Sequence, residues 1–279
     1  MILGERLASL TPLRRRPVVP VVRMAGVIGM PPLRRGGLSL AALDRPLRRA
    51  FAVRGAVAVA LVIDSPGGSA AQASLIAARI RALAAERKLP VLAFVEDIAA
   101  SGGYWLACAA DEIHADPCSI LGSIGVISAG FGFTEAIGRL GIERRVHTKG
   151  DRKAFLDPFR EERPEDLAVL DELQEDLYER FKTFVRERRG GRLRIAEEEL
   201  FSGRVWSGQR AEGFGLVDGL GEMRNILRAR YGDRLRLRLV NPPRQPWWRG
   251  FSPAGAGEAL ADALLERVEE RLLRSRYGL

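Results

Sequence analysis

Residues 57–63 place the strongest limit on the fold, because they form a continuous apolar run without polar alternation. Such a run is typical of a β-strand that is covered on both faces, as strands are in parallel sheets flanked by helices. Residues 38–53 before it and 70–86 after it carry apolar side chains at helical spacing. The next apolar run, 89–95, is again short and strand-like. This stretch therefore predicts layers of helix around a buried sheet.

Strands and helices are expected to alternate along most of the chain. Predicted strands lie at 18–28, 57–63, 89–95, 113–115, 124–128, 143–148 and 235–240. Predicted helices lie at 38–53, 70–86, 101–110, 134–140, 164–189 and 223–230. This order indicates an α/β fold with a parallel β-sheet and right-handed crossovers.

The 279 residues are expected to form one main domain with terminal extensions. A basic N-terminal arm at 1–16 precedes the domain at 17–240. A linker that contains prolines and tryptophans follows, and 241–279 ends in an amphipathic helix.

Composition excludes several classes of protein. The net charge is +9 and the pI is about 10.3, but the basic residues are scattered and not interleaved with aromatic ones, so no nucleic-acid binding is expected. No apolar run reaches the length of a membrane span, and the N-terminus lacks a signal-peptide core. Cys108, Cys118, His114 and His147 form no metal-ligand pattern, so we expect no metal or cofactor, and both cysteines to be buried thiols of a reducing compartment.

The strongest candidate for chemistry is Ser101. It follows a predicted strand and a short loop, and it directly precedes a helical segment, where a nucleophile would sit at the positive end of the helix. Gly102 and Gly103 have no side chains, so a substrate backbone could approach their N–H groups closely. The alternative is that Ser101 only caps the helix.

Three motifs occur in order: Asp-Ser-Pro-Gly-Gly at 64–68, Ala-Ala-Ser-Gly-Gly-Tyr at 99–104 and Gly-Ser-Ile-Gly-Val at 122–126. Together they resemble the signature segments of the signal peptide peptidase A family of serine peptidases, peptidase family S49, over residues 18–240. The resemblance implies a Clp protease/crotonase-like fold with repeated ββα units. It also implies a serine endopeptidase with a Ser-Lys dyad that works without a cofactor.

The resemblance assigns roles to individual residues. Ser101 is the nucleophile, and Lys153 is its base, with Lys149 as a less favoured alternative. A lysine accepts a proton only when neutral, and burial disfavours its charged form. Ser123 is placed like the serine that orients the lysine. His147, like His114, is interpreted as a structural residue.

The oxyanion of acyl transfer needs two fixed hydrogen-bond donors. By resemblance these are the N–H groups of Gly68 and Gly102. A crotonase-type acyl-CoA enzyme would share this hole but would need catalytic carboxylates. The third alternative is a catalytically silent scaffold that binds a membrane partner.

The expected substrates are signal-peptide remnants or other unfolded or membrane-derived peptides. Because the resembled proteins form ring or dome assemblies whose neighbouring subunits complete the substrate grooves, a homo-oligomer is expected. The positive charge and Trp247-Trp248-Arg249 favour a cytoplasmic protein with peripheral contact at the inner face of the membrane. The alternative is a soluble protein whose tryptophans pack on the tail.

Overall fold

The computed structural model describes residues 16–29, 37–150, 152–240, 268, 271, 274, 275, 277 and 278. Most of the basic arm, the linker with Trp247 and Trp248, and most of the stretch predicted as an amphipathic helix therefore lie outside the described residues. The strands are β1 (Val18–Ala25), β2 (Val59–Ser65), β3 (Val91–Ala100), β4 (Glu112–Ala115), β5 (Ile120–Gly122), β6 (Val205–Ser207), β7 (Gly219–Leu220) and β8 (Arg236–Leu239). The helices are α1 (Leu40–Phe51), α2 (Ala70–Arg87), α3 (Gly102–Cys108), α4 (Thr134–Arg139), α5 (Pro164–Arg189), α6 (Glu197–Leu200), α7 (Gly208–Gly213) and α8 (Met223–Tyr231).

The strands form one sheet in the order β6-β5-β3-β2-β1-β8, and β4 pairs with β3 and with β7. All of these pairs are parallel except β5 with β6. Every residue of β2 is buried, as the continuous apolar run predicts for a strand covered on both faces. Because the central strands are parallel, their carboxyl ends meet at one edge of the sheet.

Helices cover the sheet on both faces. Leu61 and Ile63 of β2 point into the larger core with α1, α2, α3 and α5. Ala60 and Val62 point to the other face, where Leu227 of α8 completes a smaller core. Successive residues of a strand face opposite sides, so one short strand supplies both cores.

Two predicted strands are wrong. Residues 124–128 and 143–148 have no regular structure, and Ile127 is 73% exposed. The strand in this region is β5, which lies earlier and pairs with β6 from much later in the chain. Apolar and β-branched residues favour a strand only where a partner strand or a core receives them.

The two cysteines differ. Cys108 is buried, and burial raises the pKa of its thiol to about 12. Cys118 is exposed, which corrects the prediction that both are buried. It lies in the turn between β4 and β5, where its N–H donates to Oδ1 of Asp116 at 2.9 Å, so the apolar neighbours in the sequence do not enclose it.

In the described part of the chain, no helix is both long enough and apolar enough to cross a bilayer.

Candidate active site

Ser101 lies directly after β3, without the predicted intervening loop, and directly before α3. Its backbone has φ 51° and ψ −122°, a conformation that a residue with a side chain adopts only at an energetic cost. The Ser101 N–H donates to the carbonyl oxygen of Gly122 at 2.8 Å, which helps to hold this turn. The side chain makes no capping hydrogen bond to α3. Ser101 thus occupies the N-cap position of α3, where its carbonyl oxygen accepts from the Trp105 N–H at 3.0 Å, but its hydroxyl does not cap the helix.

Glycines allow the turn after β2 to pack against Ser101. A Cβ atom on Gly67 would lie 2.8 Å from Cβ of Ser101, and one on Gly68 would lie 2.1 Å from the carbonyl oxygen of Ile28. A Cβ atom on Gly102 would lie 3.5 Å from the nitrogen of Gly68. The backbones of Gly68 and Gly102 are thus close neighbours beside Ser101, as the predicted pair of oxyanion donors requires.

The hydrogen bonds of this turn come from the residues around Gly68. Ile28 N–H donates to Gly67 O at 2.8 Å, and Ser69 N–H donates to Ile28 O at 2.9 Å. The Gly68 N–H takes no part in this pairing.

Ser123 is held at the end of β5 by the pairing with β6. Its N–H donates to Arg204 O at 2.7 Å, and its φ is 52°. The preceding Gly122 has room for no side chain, since a Cβ atom there would lie 2.7 Å from the ring of Trp206. The β5–β6 contact therefore sets the position of Ser123 relative to Ser101.

Ser101 and Ser123 share a cleft of about 730 Å³. Helix α5 supplies one wall of this cleft. Its lining residues there are Asp171, Gln174, Glu175, Leu177, Tyr178 and Phe181. Trp105 of α3 also lines the cleft and stacks on Phe181, with ring centroids 4.7 Å apart. Apolar rings, two carboxylates and the glycine backbone thus surround the candidate nucleophile.

The predicted base lies elsewhere. Lys153 is exposed in a turn, and neither it nor Lys149 is among the described residues that line the cleft. The structure thus brings Ser101, Ser123, Gly68 and Gly102 together and leaves Lys153 outside. Pairing of Lys153 with Ser101 stays a prediction.

The histidines are also outside the cleft. His147 is exposed. The ring of His114 stacks on Phe94 at 5.4 Å, and its Nε2 lies 3.5 Å from a carboxylate oxygen of Glu112. The packing of His114 agrees with the structural role predicted for it, and the role of His147 stays a prediction.

An ion pair that was not predicted from the sequence anchors α5. Arg189, which is 2% exposed, donates to Oδ2 of Asp218 at 2.7 Å and to Gly215 O at 2.7 Å. Burial is the largest single influence and raises the pKa of Asp218, but the hydrogen bonds from Arg189 and the Ile113 N–H, together with the charges of Arg189 and Arg192, hold the pKa below its usual value. Arg189 continues the buried stripe of Phe181 and Val185. An arginine on such a stripe was the available signal for a buried partner.

Comparison with known proteins adds to this geometry. Residues 84–231, more than half of the chain, match the model of peptidase family S49. The chain belongs to peptidase family S49. The matched residues include Ser101, Ser123 and Lys153, and the resemblance seen in the three motifs is confirmed.

Relatives of the S49 chain carry several names. It is 47% identical, over 98% of its length, to a protein of Brucella abortus named Na(+)/H(+) antiporter NhaA, of which it covers 39%. It is 35% identical, over 57% of its length, to the chloroplastic serine protease SPPA of Arabidopsis thaliana, of which 23% is covered. It is 30% identical, over 65% of its length, to the probable protease SohB of Buchnera aphidicola, of which 53% is covered. The chain therefore spans less than two thirds of each of these relatives.

A solved structure supports the fold. The membrane-bound stomatin-specific protease 1510-N, as a mutant in complex with a substrate peptide, superposes with a TM-score of 0.53 at 17% identity. The match covers 89% of this chain and 99% of that one. The predicted α/β fold of the Clp protease/crotonase type, with a largely parallel sheet, is thereby confirmed.

Proposed function

We propose that this chain is a serine endopeptidase that hydrolyses peptide bonds through an acyl-enzyme on Ser101. The observation that carries the proposal is the strained backbone of Ser101, in a cleft, with a hydroxyl that does not cap α3 and with the Gly68 and Gly102 backbones beside it. Strain of this kind persists only where the surrounding structure holds it, and it clusters at functional sites.

The reaction follows from these positions. Oγ of Ser101 attacks the carbonyl carbon of the scissile bond and gives up its proton to a base. The N–H groups of Gly68 and Gly102 stabilise the negative oxygen that forms. The amine product then leaves with a proton from the same base, and water hydrolyses the ester to release the acid product.

The base in this proposal is Lys153, and Ser123 orients it. Since a base must come within about 3 Å of the hydroxyl oxygen, the segment that carries Lys153 must rearrange or be supplied by a neighbouring copy. The surroundings of Lys153 support its supply by a neighbouring copy. Ile127, Phe131 and Leu140 are 73%, 80% and 73% exposed, and apolar side chains so exposed favour an interface. We therefore propose a homo-oligomer whose contacts place Lys153 at Ser101.

A fluorophosphonate probe tests the proposed nucleophile. We expect covalent labelling of Ser101, mapped by mass spectrometry, and loss of labelling in Ser101→Ala. Ser202 is the matched control, because it is a second serine that lines the same cleft, and Ser202→Ala should still be labelled. Labelling at Ser202 would contradict the assignment of Ser101 as the nucleophile, and no labelling at any residue would support the silent scaffold or a crotonase-type enzyme instead.

The substrates in this proposal are extended peptides, including signal-peptide remnants and other unfolded or membrane-derived peptides. The cleft offers Trp105, Leu177 and Phe181 to apolar side chains, and its glycine-rich edge to a peptide backbone. We place the protein in the cytoplasm, at the inner face of the membrane, because its net charge of +9 attracts anionic lipid. It should float with anionic liposomes at low salt, and failure to float would remove the membrane part of the proposal.

A further inference from the structure

Two residues near the end of the chain lie against the candidate active site. Tyr277 lines the same cleft as Ser101, and its hydroxyl lies 3.3 Å from Oγ of Ser123, within hydrogen-bond distance. Arg274 donates from Nη2 to Oδ2 of Asp64 at 2.9 Å. Arg274 and Tyr277, called here the docking segment, thus reach from the end of β2 to the serine proposed to orient the base.

The buried carboxylate of Asp64 forms a binding site for a cation. It is 7% exposed and directly precedes the Ser-Pro-Gly-Gly turn. Its Oδ1 is buried and has no hydrogen-bond partner among the described residues. A buried carboxylate is costly unless a cation and hydrogen bonds compensate for the lost water.

Two arginines lie near Asp64, and their distances show which of them pairs with its carboxylate. Arg23 lies 3.8 Å from Asp64 but reaches Glu96 at 2.5 Å, so its closer partner is elsewhere. Arg274 is at hydrogen-bond distance from Asp64, and its Nη1 lies 3.9 Å from Asp97. The guanidinium of Arg274 thus lies near two carboxylates, that of buried Asp64 and that of exposed Asp97. Its several N–H donors suit such an arrangement.

We propose that Asp64 is an arginine-binding site at which the chain's own docking segment binds, so that Tyr277 occupies the cleft and excludes substrate. The inhibitory effect rests on the proposed peptidase function, whereas the binding itself does not. Asp64 contributes the charge that holds the segment, and Oγ of Ser123 accepts the second hydrogen bond from the Tyr277 hydroxyl. A peptide that carries arginine competes for the same carboxylate.

Labelling rates test the inhibition in the full chain. Arg274→Gln and Asp64→Asn should each raise the rate of fluorophosphonate labelling of Ser101 by about tenfold, the effect of losing one charge-assisted hydrogen bond. The double variant should be no faster than either single variant, because both changes remove one interaction. Arg271→Gln is the matched control: Arg271 is exposed on the same stretch of chain and makes no ion pair among the described residues. Its labelling rate should equal that of the unaltered chain.

A binding measurement separates this proposal from the proposed function. A fluorescein-labelled peptide with the sequence of residues 268–279 is titrated with the Ser101→Ala/Arg274→Gln chain and followed by fluorescence anisotropy. We expect saturable binding, lost in a peptide with Arg274→Gln and in a chain that also carries Asp64→Asn. Unfolding midpoints of all variants show that each is folded.

The outcomes are distinct. If no variant is labelled but the peptide binds through Asp64, the peptidase proposal fails and the arginine site stands. If Ser101 is labelled at one rate in all variants and the peptide does not bind, the peptidase proposal stands and the docking is overturned.

Discussion

At the scale of the residue, the proposed chemistry depends on the amine of Lys153, which must be neutral to take the proton of Ser101. Lys153→Arg keeps the positive charge but cannot lose it at accessible pH, so it should abolish turnover and leave the fold intact. The measurement is kcat/KM on a fluorogenic peptide.

His147 provides the control for this prediction. It is exposed and lies outside the cleft, so His147→Ala should retain nearly full activity. An active Lys153→Arg together with an inactive His147→Ala would mean that the enzyme uses a serine and a histidine.

At the scale of the element, the position of Ser101 depends on how closely α3 packs on the end of β2. A Cβ atom on Gly103 would lie 2.3 Å from the carbonyl oxygen of Ser65, a backbone atom that cannot move aside. Gly103→Ala should therefore lower the free energy of unfolding by about 1–3 kcal/mol. Gly138→Ala in α4 meets no atom within 4 Å and should leave it unchanged or slightly higher. Urea denaturation compares the two, and equal midpoints would contradict the close packing.

Helix α5 carries one wall of the cleft, and its last residue anchors it. Asp218→Asn leaves the buried guanidinium of Arg189 without its carboxylate, so stability at neutral pH should fall by about 2–4 kcal/mol. Glu197→Gln, which breaks an exposed pair with Arg186, is the matched control and should have little effect.

The same pair predicts how stability depends on pH. Because the pKa of Asp218 is lower in the folded chain than in the unfolded one, the unfolded chain binds the proton at higher pH. The contribution of Asp218 is therefore complete above the unfolded pKa and is lost as the pH falls through the folded pKa. Urea midpoints measured below about pH 5 should converge for the unaltered chain and Asp218→Asn. A constant difference across this range would contradict the assignment.

Sequence patterns were sufficient for the elements around Ser101 and not for those after it. Long apolar runs predict strands β2 and β3, and clear helical spacing predicts helices α1, α2 and α5, because burial of these elements requires such patterns. Residues 124–128 and 143–148 have strand-like composition but no strand beside them, and periodicity alone does not report a missing partner. The three motifs predicted residues that lie together at one cleft, Ser101, Ser123 and the glycines, and their catalytic roles stay predictions. The Arg189–Asp218 and Arg274–Asp64 pairs join distant parts of the chain, so no local pattern shows them.

At the scale of the whole molecule, the described chain exposes an apolar surface that a single copy does not cover. Phe131 is 80% exposed and stacks only loosely on Phe133, with ring centroids 6.2 Å apart. Phe131→Asp should shift the chain from an oligomer to a monomer in sedimentation at micromolar concentration, and activity should fall with it. Leu75→Asp, on the exposed side of α2 where Leu75 is 47% exposed, should change neither. A monomeric unaltered chain would contradict the proposed assembly.

The backbone of Ser101 also links stability to evolutionary history. Its dihedral angles are those that glycine adopts at little cost. The Ser101→Gly variant should therefore unfold at a higher urea concentration than Ser101→Ala, with a free energy of unfolding about 1 kcal/mol larger. Neither variant can form an acyl-enzyme. Equal midpoints would show that the turn stores no strain. A descendant released from selection for catalysis would gain stability by a single substitution to glycine at this position. Among homologues, glycine at this position would then mark lineages that have become pseudoenzymes.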